Sequence, residues 1–279
     1  MYYRTDEGTY RRMSVDDRPI VSRLPAGAYV ESSAEAEDAR LALQPRTLST
    51  EPLLFLDTPA MRMVRREVEA FFDPATTARL ASAGIRHRRG IILHGPPGTG
   101  KTSIMRQLVP RLVEHDAVIV VDCDPNELEH AFIPAIRASD PDRPIVLFFD
   151  DFDQSAANTC SALLQLLDGL TSPDHLLTIG CTDDLEAVPV QLRNRPSRFG
   201  LILRIDRLPE GLHERLAEQK YPTLSPADRQ FAVRLTRELP IKYLDDVCKL
   251  LLLGNDPGMI SDRMRAIAAT RPAAGHERS

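Results

Sequence analysis

The sequence predicts an α/β fold: a doubly wound, five-stranded parallel sheet, a C-terminal α-helical lid and a small N-terminal β-rich appendage. Three observations predict it. Short, continuous apolar runs alternate with segments of helical period, which is the pattern of strands buried on both faces and crossed over by helices. The first run, Gly90-Ile91-Ile92-Leu93-His94, opens directly into a glycine-rich loop and then a helix. Beyond Pro209 the periodicity becomes wholly helical. The predicted divisions are residues 1–56 (appendage), 57–208 (α/β domain), 209–270 (lid) and 271–279 (a frayed tail).

Taken in order, Tyr2 to Arg12 reads as two short strands around a Thr5-Asp6-Glu7-Gly8 turn, and Leu24 to Val30 as a turn entering a third strand. The Tyr and Arg interleaving here fits a half-buried strand with solvated arginines better than a nucleic-acid platform. Thr58 caps a helix with Pro59 at its first position, and Met61, Val64, Val68 and Phe71 recur at helical spacing. Asp73-Pro74 repeats the device, and Gly84 ends that second helix. The loop helix spans about 100–114, followed by a strand at Ala117–Val121 and a helix at 126–138 interrupted or kinked at Pro134. Ile145–Phe149 is the next strand, Ala156–Leu170 a helix, Leu176–Cys181 a strand, Leu185–Asn194 mostly helix and Leu201–Ile205 the last strand. Four lid helices are expected at Glu210–Gln219, Pro226–Glu238, Leu244–Leu253 and around 259–269.

Gly95-Pro96-Pro97-Gly98-Thr99-Gly100-Lys101-Thr102 fits G-x-x-x-x-G-K-[ST], the phosphate-binding loop. Its glycines let successive N–H groups converge on one centre, and the helix running on through Ser103 adds its positive dipole end. Lys101 would reach the β- and γ-phosphates and Thr102 would ligate Mg²⁺. The chain holds 35 basic residues but only four lysines, and Lys101 is the sole one before Lys220. A compact ammonium is thus kept where a planar guanidinium would fit poorly. The second chemical signal is Leu147-Phe148-Phe149-Asp150-Asp151-Phe152-Asp153, an apolar strand ending in carboxylates. Asp150 would hold the ion and Asp151 would orient the attacking water.

Composition excludes several classes. A net charge of −5 gives no global basic field for nucleic acid or anionic membrane. No apolar run reaches the length of a membrane span, and the N-terminus lacks a signal-peptide pattern. Cys123, Cys160, Cys181 and Cys248 show no metal-ligand spacing, which points to a reduced, cytoplasmic protein without structural zinc.

These motifs resemble the AAA+ ATPases, and within them the AAA clade, over about Thr58 to Leu253. The loop matches that family's in every position. Leu163-Leu164-Gln165-Leu166-Leu167-Asp168-Gly169-Leu170 is similar to its helix after the acidic strand, and Arg195-Pro196-Ser197-Arg198-Phe199-Gly200 resembles its R-P-G-R-F segment. The lead-in from Phe71 through Ile91 is most similar to the branch containing the mitochondrial Rieske-protein translocase. The resemblance implies ATP and Mg²⁺ as ligands and a ring of subunits, expected to be a hexamer. It also implies arginines that reach a neighbour's nucleotide, Arg198 first and Arg195 second.

Three departures qualify it. The acidic pair is Asp150-Asp151 where the family usually has Asp-Glu, so the water-orienting carboxylate is one methylene short. The polar sensor reads Thr182-Asp183 in place of Thr-Asn, which adds negative charge near the γ-phosphate unless Asp183 is protonated or paired. No aromatic-apolar-Gly triplet lies between Val121 and Ile145, so threading a chain through a pore is not expected. The function implied is an ATP hydrolase that remodels an unknown protein client or complex. The alternative is an ATP-gated assembly scaffold with little or no turnover.

Overall fold

The computed structural model describes residues 2–4, 10–12, 20–21, 23–31, 42–48, 58–168, 173–195, 197–205, 211–237 and 239–269. The chain divides into two compact units, Met1–Pro96 with Gly100–Ile205, and Pro97–Thr99 with Asp206–Ser279.

The first unit is built on a single sheet. Its strands are β1 (Tyr2–Arg4), β2 (Tyr10–Arg12), β3 (Ile20–Val21), β4 (Gly27–Glu31), β5 (Ala42–Pro45), β6 (Arg88–His94), β7 (Val118–Val121), β8 (Ile145–Phe149), β9 (Leu176–Thr182) and β10 (Leu201–Arg204). The order is β10-β6-β9-β8-β7-β4-β5-β2-β1-β3. The five strands expected from the apolar runs are adjacent and parallel. A sixth parallel strand was not anticipated: β4 pairs with β7 through Gly27↔Val118 and Tyr29↔Val120. The N-terminal β-rich segment therefore extends the central sheet through this strand, and β5, β2, β1 and β3 continue it antiparallel. The physical reason lies in β7, a four-residue strand buried throughout, whose outer edge needs a backbone partner. The turn predicted at Thr5–Gly8 and the tail at 271–279 lie outside the described residues.

Alternate residues of each parallel strand feed two separate cores. Ile92, Val118, Val120, Ile145, Leu147, Phe149 and Leu176 face one, and Ile91, Leu93, Ile119, Val121, Val146, Phe148 and Leu177 face the other. This is why the strands read as continuous apolar runs rather than alternating ones. The helices at Pro59–Phe72 and Lys101–Glu114 cover the second face, through Met61, Val64, Val68, Phe71, Ile104, Leu108 and Leu112. The predicted caps form: Thr58 Oγ1 accepts from Met61 N at 3.0 Å, and Asp73 accepts from Ala75 N and Thr76 N.

Three helical segments are broken, the first near the proline where an interruption or kink was expected and the other two against their periodicity. The segment after β7 runs as Pro125–Glu127, a π-turn at Leu128–Phe132, then Ile133–Ser139. Pro134 lacks the N–H that an α-turn would need, and the wider turn before it absorbs the defect. The expected helix Ala156–Leu170 is two, Phe152–Asn158 and Cys160–Asp168. The break falls at Thr159, whose hydroxyl bonds back to Ser155 O at 2.6 Å. The expected Leu185–Asn194 helix splits into Leu185–Ala187 and Val190–Arg193, because Pro189 holds Val188 extended.

Two glycines fix how close segments come. A Cβ on Gly90 of β6 would lie 1.9 Å from Arg198 O, and one on Gly180 of β9 would lie 2.7 Å from the Phe152 ring. Gly90→Ala should therefore destabilise the protein by about 1–3 kcal/mol, since a backbone carbonyl has to move. Denaturant unfolding checks this, and a midpoint equal to wild type would contradict the packing.

The second unit is helical. Leu212–Lys220, Pro226–Thr236, Ile241–Leu252 and Pro257–Ala269 match the four expected helices to within a few residues. Asp245 ties three of its side chains together, with Lys220 at 2.7 Å, Lys249 at 2.9 Å and the Tyr221 hydroxyl at 2.5 Å.

Candidate active site

Parallel pairing decides which residues meet. His94 of β6 lies opposite Thr182 of β9, Phe149 of β8 opposite Gly180, and Val121 of β7 opposite Phe148. All four strands thus end on one edge of the sheet. The residues that follow them, Gly95, Asp183, Asp150 and Asp122, emerge together at the C-terminal side, where open α/β sheets bind ligands.

The loop leaves β6 through Gly95, at φ 144°, and Gly98 and Gly100 also have positive φ, 76° and 97°. Only glycine takes such angles without strain. A Cβ on Gly95 would stand 2.2 Å from Ile205 O, so the loop's start is pinned against the end of β10. Gly95 and Pro96 carry the carbonyls that Lys101 binds. Gly100 is the N-cap of Lys101–Glu114, which has no side-chain cap. The N–H groups of Lys101, Thr102 and Ser103 therefore open the helix without a side chain competing for them, as an anion-binding end requires.

Lys101 is buried at 7% exposure. Its Nζ donates to Gly95 O at 2.7 Å and Pro96 O at 3.0 Å, and pairs with Asp183 Oδ1 at 2.6 Å. The charge expected to trouble the sensor position is thus matched by the loop lysine. Thr102 Oγ1 lies 2.9 and 3.0 Å from the two carboxylate oxygens of Asp150. A hydroxyl and a carboxylate at this spacing are two hard oxygen donors on one spot, which suits Mg²⁺. Among the described residues no cluster of three or more His, Cys, Asp or Glu would hold a metal alone. An ion here would be completed by phosphate oxygens and water, as magnesium prefers.

Asp151 starts the helix Phe152–Asn158 in the left-handed region, at φ 58°. A non-glycine residue there is uncommon, and its side chain is exposed. Desolvation, then the neighbouring charges of Asp150, Asp153 and Asp183, push its carboxyl above the ordinary range. The effect makes it a better proton acceptor than a free aspartate.

Three supporting residues were given no role by the sequence reading, although Asp153 and Asp168 lie within its motifs. Asp122, just past the end of β7, accepts the Asp150 N–H at 2.7 Å and so holds the strand end that carries Asp150. Burial, followed by the charges of Asp150 and Asp151, raises its carboxyl. Its signal was present: it follows an apolar strand just as Asp150 does. Asp153 lies 2.7 Å from the Thr182 hydroxyl, joining the acidic segment to the end of β9. Asp168 is the third.

The arginines of the last connection gather around Asp168 of the helix Cys160–Asp168. Arg198 is 3.2 Å from its Oδ2, also donates to Gln191 O, and has a side chain only 8% exposed. Arg195 reaches the same oxygen at 3.4 Å but is 64% exposed. Arg193 is taken by Glu186. Arg195 and Arg198 are therefore together, and neither has an ion pair with the carboxylates around the loop. Lys242 sits exposed at the start of the helix Ile241–Leu252.

Comparison with known proteins agrees with this geometry. Residues 91–207 match the model of the ATPase family associated with various cellular activities (AAA). The chain is 32% identical over 139 residues to the ATPase family AAA domain-containing protein 2 of Pongo abelii, covering 41% of the chain and 12% of that protein. It is 28% identical over 242 residues to the human peroxisomal ATPase PEX6, covering 77% of the chain and 23% of the relative. Against the cell division cycle protein 48 homologue of Archaeoglobus fulgidus it is 28% identical over 210 residues, covering 68% and 28%. The chain spans less than a third of the length of each. No helix among the described residues is long and apolar enough to cross a membrane. Residues 91–207 are thus an AAA ATPase domain, with homologues among the AAA proteins.

Proposed function

We propose that the protein hydrolyses Mg²⁺–ATP between the subunits of a ring, expected to be a hexamer, and uses the cycle to remodel a protein client or complex. The observation that carries the reading is the meeting of Thr102 Oγ1 with both oxygens of Asp150 beside the buried Lys101. Thr102 and Asp150 would hold magnesium, which when bound neutralises phosphate charge. Lys101 binds phosphate, the loop N–H groups orient it, and Asp151 accepts the proton of the attacking water. The four free thiols fit a reducing compartment, and a cytoplasmic location belongs to this proposal. So does the likeness of Phe71 through Ile91 to the branch of the Rieske-protein translocase.

Burial favours Arg195 over Arg198 for the arginine that acts on a neighbour's nucleotide. Arg198 already serves Asp168 and Gln191 and holds the connection against β6. Arg195 has one long contact, to Asp168 Oδ2, and a largely exposed side chain. Arg195→Ala should keep nucleotide affinity and lose phosphate release by about 10³-fold or more. Mixing it with Lys101→Ala protein should restore part of the turnover, because an intact loop then faces an intact arginine. A flat mixing curve, in mixtures shown to exchange subunits, would mean that each chain works alone.

A second reading, an ATP-gated scaffold with little turnover, is favoured by one observation. Lys101 is held by Asp183, so a nucleotide has to compete for the loop's own cation.

A further inference from the structure

We infer that Asp183 sets which nucleotide the loop prefers, biasing it toward a nucleoside diphosphate over the triphosphate. The inference rests on the nucleotide-binding reading above and deepens it. An ammonium has three N–H donors. Those of Lys101 are matched by three acceptors: Gly95 O at 2.7 Å, Pro96 O at 3.0 Å and Asp183 Oδ1 at 2.6 Å. A phosphate oxygen that takes a bond from this lysine must displace one of them or share with it. The two carbonyls are fixed in the loop backbone, and Gly95 cannot retreat because Ile205 O lies against it. Asp183 is the movable partner, with its side chain 54% exposed against 8% for Lys101.

The charge balance then separates the two nucleotides. Any two anionic oxygens bonded to one ammonium sit within about 4–5 Å of each other. A γ-phosphate on Lys101 is therefore placed against the Asp183 carboxylate, on the side where Asp150 and Asp151 already concentrate negative charge. A diphosphate brings one charge fewer. It is received mainly by the backbone N–H groups of the loop and helix start, and leaves the Lys101–Asp183 pair in place. The β9 register makes the arrangement constitutional, since Thr182 is locked opposite His94 and Asp183 must follow beside the loop.

Calorimetry on the full chain in excess Mg²⁺, with ADP and with an ATP analogue bridged by nitrogen between the β- and γ-phosphates, tests this. Wild type should bind ADP more tightly than the analogue. Asp183→Asn removes the carboxylate charge and should tighten the analogue by about tenfold, with ADP changed by less than about threefold, because the site is half-exposed and screened. Asp183→Glu keeps the charge and should keep the wild-type ratio. An unchanged ratio in Asp183→Asn, or the same shift in Asp183→Glu, overturns the inference. A wild type that melts cooperatively yet binds neither nucleotide sinks the underlying nucleotide reading instead.

Discussion

Lys101→Ala protein should lose triphosphate binding, with affinity for the nitrogen-bridged ATP analogue in calorimetry falling by at least about 100-fold. A charge-assisted hydrogen bond to phosphate contributes roughly 1.5–3 kcal/mol, and its loss also leaves the Asp183 carboxylate unopposed beside the γ-phosphate, which together exceed that factor. The Asp183 carboxylate left behind is half-exposed, so the loss should not come from unfolding. A melting temperature close to wild type would establish that. Lys101→Arg should fail nearly as badly. The ammonium sits buried between two backbone carbonyls at 2.7 and 3.0 Å, a cradle with no room for a planar fork. Retained affinity in Lys101→Ala would remove the loop from the binding site altogether.

Much of this site was legible in the sequence because its signals are local. The loop's glycines, the lysine and the acidic strand end are each set by a few adjacent residues. Parallel pairing then brings Lys101, Thr102, Asp150 and Asp183 together, as a strand alternation of this kind requires. What escaped was set by partners distant in sequence. The sixth parallel strand at Gly27–Glu31 owes its place to β7, some ninety residues on, and its own five residues carry no mark of that neighbour. Likewise, nothing in Arg195-Pro196-Ser197-Arg198 says which guanidinium is buried. Asp168, from another helix, and the missing Cβ of Gly90 decide it. The helix breaks at Thr159 and Pro189 were readable from composition, but apolar periodicity ran through them and masked them.

Asp151→Asn should abolish phosphate release, by about 100-fold or more, while leaving nucleotide bound. Asparagine tolerates the left-handed φ of 58° as well as aspartate does, so the backbone should hold and only the charge is lost. Thr102 and Asp150 remain to hold magnesium, so binding should persist. Wild type itself should be slow, because the carboxylate is one methylene shorter than glutamate would be. Asp151→Glu should raise turnover, but modestly, since a longer side chain in the left-handed region carries a cost of about 1 kcal/mol. The pH profile gives an independent reading. Desolvation and the charges of Asp150, Asp153 and Asp183 hold the Asp151 carboxyl above its ordinary 3.8. A protonated acid cannot accept the water proton, so turnover should fall on acidification at a pH above that value, and Asp151→Asn should show no such limb. The comparison is made at saturating Mg²⁺–ATP in assembled, client-bound protein. If wild type and Asp151→Asn release phosphate at the same rate there, the carboxylate does no chemistry and the chain is a nucleotide-gated scaffold.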